Sequence, residues 1–107
     1  MSANIEYEIC EHEIYIRRVG DEAVPPQPMP TFLVGDRVRY SCDDGEARIE
    51  FSKGSPYEQT TVLAGQIVTV RNIGTFRCQC FIDCKDGSVV GWKSDPSPSG
   101  ADHDVPR

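Results

Sequence analysis

The chain of 107 residues has no apolar run near the ~20 residues that a membrane-spanning helix needs, so no membrane partner is expected. Its first residues, Met-Ser-Ala-Asn-Ile-Glu-Tyr-Glu, lack the basic and apolar regions of a secretory signal, which makes the cytoplasm the expected compartment. No segment repeats its apolar residues at a helical period, and there is no internal repeat; a helical bundle and a solenoid are both excluded. A Gly-rich phosphate loop is missing too, and the two histidines, His12 and His103, stand in no Ser-His-Asp or Cys-His pattern. No catalytic residue and no cofactor are therefore assigned.

Excess positive charge is also lacking. The net charge is −6, with −4 in residues 1–30, zero in 31–93 and −2 in 94–107. Nucleic-acid affinity rests mainly on neutralised phosphates, so this balance disfavours such a partner. The five cysteines are an odd number, so at least one thiol stays unpaired unless chains cross-link. In a reducing compartment, buried free cysteines act as small apolar residues.

What is present is two-residue alternation broken by turn signals. In residues 5–19 Ile5, Tyr7 and Ile9 occupy odd positions, whereas Ile14 and Ile16 occupy even ones. A slip of one residue sends every side chain to the opposite face, so the change of phase predicts a turn at Cys10-Glu11-His12-Glu13 between two hairpin strands, or a bulge near Glu11. Pro25, Pro26, Pro28 and Pro30 predict a stiff extended connector, or alternatively a Pro-x-x-Pro ligand for an aromatic groove. Beyond it Val34, Asp36, Val38, Tyr40 and Cys42 share one parity, with Arg37 and Arg39 on the other. Asp43-Asp44-Gly45 marks a turn, and with Glu46 reads as a solvated corner more simply than as a cation site. Further strands are expected over Ala47–Phe51, Gln66–Arg71, Phe76–Asp83 and Ser88–Lys93, separated by a Ser52–Thr61 loop and turns at Asn72-Ile73-Gly74 and Asp86-Gly87. Residues 94–107, with Pro96, Pro98 and three aspartates, are expected to form a loose acidic tail carrying His103.

Five short strands with polar turns fit a small closed or partly open barrel. Phe32-Leu33-Val34-Gly35-Asp36-Arg37-Val38-Arg39 resembles the opening strand of SH3-like barrels, Gly65-Gln66-Ile67-Val68-Thr69-Val70 their middle strand, and Asp86-Gly87 the turn before their closing strands. The fold class expected is thus all-β: an N-terminal β-hairpin or bulged strand in 1–24, a connector in 25–31, a five-stranded SH3-like barrel in 32–93 and a tail in 94–107. Within that fold, Gly35-Asp36-Arg37-Val38-Arg39, Gly65-Gln66-Ile67-Val68 and Gly87-Ser88-Val89 are similar to the plasmid-type (type II) dihydrofolate reductases. The resemblance implies a tetramer holding folate and NADPH in one central pore. Yet the family's pore lysine falls on Tyr40, and its Gln-Ile-Tyr falls on Val90-Gly91-Trp92. The implied fold carries over without the residues of the implied reaction.

Cys78, Cys80 and Cys84 admit two readings. As ligands they would need a fourth donor such as Cys10 or His12, on a loop able to wrap an ion. On a strand they form, with Ile82, one inward stripe opposite the mostly polar Arg77, Gln79, Phe81, Asp83 and Lys85, and ~3.3 Å per residue sets Cys78 and Cys84 nearly 20 Å apart. The inward stripe explains the pattern with fewer demands. Exposed recognition chemistry is sought instead in Arg37, Arg39, Tyr40, Tyr57, Trp92 and Lys93, a basic and aromatic set at one rim of the barrel, with Trp92 as a plug of the barrel end the competing role. These residues point to a non-catalytic module for a protein or peptide partner. Alternatives are a KOW- or Tudor-like nucleic-acid barrel using Arg37, Arg39, Arg71 and Arg77, small-molecule binding, and a folate reductase-like enzyme. Residues 5–19 are in addition expected to support a homodimer by strand addition.

Overall fold

The computed structural model describes residues 9–94 and 97–107, and every described element is a β-strand. The strands are β1 (Glu11–Tyr15), β2 (Arg17–Val19), β3 (Glu22–Val24), β4 (Arg37–Ser41), β5 (Gly45–Phe51), β6 (Thr61–Leu63), β7 (Ile67–Thr69), β8 (Gly74–Cys84), β9 (Val89–Gly91) and β10 (Gly100–Val105). No helix among the described residues is long and apolar enough to cross a membrane.

Alternation dictates which side each strand buries. On β4 Val38 and Tyr40 are buried while Arg37 and Arg39 are exposed; on β5 Ala47, Ile49 and Phe51 are buried; on β8 the buried stripe is Cys78, Cys80, Ile82 and Cys84. A β-strand turns successive side chains to opposite faces, so each strand can feed a core from one face only. One apolar cluster takes residues from all of these strands.

Two larger sheets supply most of that cluster, and the two-stranded β2-β3 hairpin adds Ala23. A three-stranded sheet runs β1-β4-β7, with β1 parallel and β7 antiparallel to β4. A five-stranded sheet runs β10-β8-β5-β6, with β9 joining β8. Strand β8 organises the larger sheet: β5 occupies one of its edges, while β10 (opposite 74–79) and β9 (opposite 81–83) divide the other. Two glycines allow this crowding. A Cβ at Gly45 would overlap the carbonyl oxygen of Asp83, and one at Gly91 would overlap that of Cys80. Their positive φ values, 156° and 141°, are also costly for other residues. Ala64 and Gly65 stitch the two sheets together, Ala64 N–H donating to Ala47 O and Gly65 N–H to Tyr40 O. Among the described residues the ladders do not continue round into a closed cylinder.

Three local expectations are corrected. There is no turn at Cys10–Glu13, because Glu11–Tyr15 is a continuous strand laid parallel along β4. The hairpin comes later, between β2 and β3, where Gly20 turns at a φ of 62°. Ile5 and Tyr7, on which half of the phase argument stands, lie outside the described residues. The tail is not loose: Gly100–Val105 pairs with β8 and buries Ala101, His103 and Val105. Its alternation is hidden because the outward positions are two aspartates and the inward ones include only one large apolar side chain. The expected Ser52–Thr61 loop ends in a further core-feeding strand, β6, whose three residues bury only Val62.

Candidate binding surface and the buried polar chain

The parallel register of β1 on β4 sets Glu11 beside Arg37 and Glu13 beside Arg39 on the outer face of the smaller sheet. Arg39 Nη2 donates to Glu13 Oε2 at 2.9 Å and Ser41 Oγ to Glu13 Oε1 at 3.0 Å; Arg37 Nη1 lies 3.8 Å from Glu11 Oε1. Hydrogen bonds from Arg39, Tyr15 and Ser41 hold the Glu13 carboxyl below the usual carboxylate range, and the same carboxylate pushes the Tyr15 phenol up. Solvent screens such pairs, so they shape local charge more than they hold the fold. Glu11, Glu13, Arg37, Arg39 and Ile67, the last 67% exposed, line a depression of about 300 Å³ on this face. The surface thus combines two arginines, two glutamates and an apolar contact.

Beneath one end of that face lies a buried carboxylate. Asp36, 4% exposed, accepts from Leu33 N–H at 2.9 Å, from Cys10 N–H at 3.3 Å and from His12 Nε2 at 2.9 Å. Burial alone would raise its pKa, but these donors outweigh burial and lower it. The turn after the connector is therefore clamped to the start of β1. His12 is not a turn residue among glutamates; its ring stands edge-on to Phe32, centroids 4.8 Å apart.

The interior holds a second polar constellation. Tyr40 OH lies 2.7 Å from Tyr57 OH and 2.8 Å from His103 Nε2, and all three residues are at most 1% exposed. His103 also stacks on Phe32 and meets Phe51 edge-on. Beside it the Cys78 and Cys80 sulfurs are 3.8 Å apart. Donation from Cys80, together with the nearby His103 imidazole, draws the Cys78 thiol well below its ordinary pKa despite burial, while the Cys80 thiol is pushed up. Desolvation raises both tyrosines. His103 Nδ1 is the buried side-chain polar atom that lacks a hydrogen-bond partner among the described residues. The hydrogen-bonded chain Tyr57–Tyr40–His103, with the Cys78–Cys80 pair beside it, lies in the core between the two sheets, where satisfied polar networks fix one packing and half-satisfied ones destabilise it.

The six residues expected at one rim are thus divided among three places. Arg37 and Arg39 lie on the outer face of β4. Tyr40 and Tyr57 are interior, with Phe51 edge-on to Tyr57, so neither offers an exposed ring. Trp92 is half-buried across Gly100, where a Cβ would strike its ring, and the Arg77 guanidinium lies 5.8 Å from the ring centroid. Lys93 reaches Asp21 of the β2–β3 hairpin at 3.6 Å. Trp92 and Tyr57 do not converge on one groove.

Among the cysteines, Cys84 contacts the Ile82 carbonyl, apart from the Cys78–Cys80 pair. No group of three or more His, Cys, Asp or Glu among the described residues is gathered as metal ligands. His103 escaped detection because it sits in a segment that composition marks as tail. The alternation of Ala101, His103 and Val105 with Asp102 and Asp104 was the available signal. Comparison with protein-family models, curated proteins and solved structures finds no match for this chain.

Proposed function

We propose that the chain is a non-catalytic binding module that recognises a protein or peptide partner across the outer face of β1-β4-β7, with Arg37 and Arg39 as its basic contacts. The observation that carries this reading is the depression of about 300 Å³ lined by Arg37, Arg39, Glu11, Glu13 and Ile67. It offers charge of both signs around an apolar contact, a composition suited to a peptide segment rather than to a polyanion. Tyr40, Cys78, Cys80 and His103, the groups best equipped for acid–base or nucleophilic chemistry, are all fully buried, which favours binding over catalysis. The supporting scaffold is a partly open SH3-like barrel. In its favour, Arg37–Arg39 and Ile67–Thr69, two of the segments that carry the resemblance, pair antiparallel as neighbouring strands.

A peptide-display selection on the immobilised protein, followed by amide-shift mapping with one selected peptide, tests this. Shifts are expected at Arg37–Ser41 and Ile67–Thr69, with at least a tenfold change in affinity in the Arg37→Glu/Arg39→Glu variant. A tenfold change corresponds to about 1.4 kcal/mol. Shifts confined to other strands, or unchanged affinity in the folded variant, would overturn it.

A further inference from the structure

We infer that the partner engages as an added strand on the outer edge of β1, and that it is an extended segment with lysine or arginine at alternate positions. The inference rests on the binding-module reading and specifies how that surface is used. Its first support is backbone geometry. Arg37 N–H donates to Cys10 O and Ile16 N–H to Ser41 O, so the even-numbered residues of this segment turn their backbone groups toward β4. In a parallel ladder the intervening residues face the other way. Glu11, Glu13 and Tyr15 therefore direct their N–H and C=O groups to the edge where, among the described residues, no strand pairs. Such a row is a template for another strand.

Charge selects the occupant. The side chains beside that edge on the outer face are Glu11, Glu13 and Tyr15, the last 53% exposed, while the compensating Arg37 and Arg39 lie one strand further in. An incoming strand thus meets acid before base. A second copy laid antiparallel on this edge would bring glutamates against glutamates, and like charges directly opposite destabilise a strand pair. The same glutamates attract a strand whose outward positions are basic, so one feature both discourages self-pairing and chooses the partner.

The test uses a capped heptapeptide, TKVKVKT, whose lysines fall on one face, and its glutamate counterpart TEVEVET. Amide-shift titration of the full chain should move Glu11–Tyr15, with the lysine peptide at least tenfold tighter than the glutamate one and weaker at high salt. The Glu11→Lys/Glu13→Lys variant, checked for fold by circular dichroism, should reverse that preference. Two further peptides carry N-methyl groups on the lysines alone or on the valines alone. Strand addition engages only one alternate set of amides, so one peptide should lose at least tenfold and the other stay within threefold. Equal binding of both methylated peptides overturns strand addition, and equal binding of TKVKVKT and TEVEVET overturns the charge rule. Shifts at Arg37–Ser41 with no methylation asymmetry leave the face reading standing while sinking this one; absence of shifts on both β1 and β4 sinks both. A concentration-dependent dimer whose interface maps to Glu11–Tyr15 identifies a second copy as the occupant and also overturns the inference.

Discussion

On the outer face of β4, Arg37 and Arg39 meet glutamates in open solvent; on its inner face Tyr40, the residue after Arg39, hydrogen-bonds into a chain sealed from water. Both faces are polar, yet they do different work. Outside, each ion has water as an alternative partner, so removing one costs little and the groups remain free to meet a ligand. Inside, each hydroxyl or imidazole nitrogen has only its protein neighbours, so removing one strands the next. The contrast teaches that a strand's polar residues must be sorted by face before any role is assigned to them.

The sharpest way to break the inner half of this comparison is His103→Ala. It deletes a fully buried ring packed on Phe32 and Phe51 and leaves Tyr40 short of a partner. A loss of about 3–5 kcal/mol in urea unfolding is expected, a large part of the ~5–15 kcal/mol a domain has. A loss under 1 kcal/mol would mean the chain is not what ties β10 to the core. Tyr40→Phe keeps the volume and removes only the shared hydroxyl, so about 1–3 kcal/mol is expected.

Asp36→Asn probes the clamp between the faces and should cost about 1–3 kcal/mol at pH 7. The sign follows from its lowered pKa: the stabilisation is fully present above the ordinary value of ~3.9 and disappears as pH falls through the folded-state value. Wild type and Asp36→Asn should therefore converge in stability under acid, and a gap that widens there contradicts the clamp. Thiol labelling sharpens the inside–outside boundary: Cys10 should react first, half-buried Cys42 more slowly, and Cys78, Cys80 and Cys84 only on unfolding. The smallest expected effect is on the outside. Arg39→Ala should leave the unfolding midpoint unchanged within error while shifting peptide affinity, and a substantial stability loss would show that the outer face is structural.

Much of the fold could be read from the sequence where alternation is strong. The parity of Val38 and Tyr40 against Arg37 and Arg39 foretold the two faces of β4, and the Cys78–Cys80–Ile82–Cys84 stripe is the buried side of β8. Alternation is weak evidence where strands are short or their inward residues are small or polar. That is why β6 and β10 are not legible in the sequence, and why His103 reads as part of a tail. For the candidate surface, Arg37 and Arg39 were legible as exposed, but their glutamate partners on β1 were not. Tyr40 illustrates the opposite failure: its inward parity was visible, yet a phenol was still placed at a rim, because the interior partners that satisfy its hydroxyl lie 17 and 63 residues away.

The sequence by itself determined that this is an all-β chain and, for the strongly alternating strands β4, β5 and β8, which face turns inward. That follows because a strand's two-residue period is local and is written in consecutive residues. Tertiary structure alone decided which strands are neighbours: that β1 runs parallel to β4 with its far edge unpaired among the described residues, and that His103 closes the Tyr40–Tyr57 chain. Pairing and register are set by contacts between segments far apart in sequence, which no local period encodes.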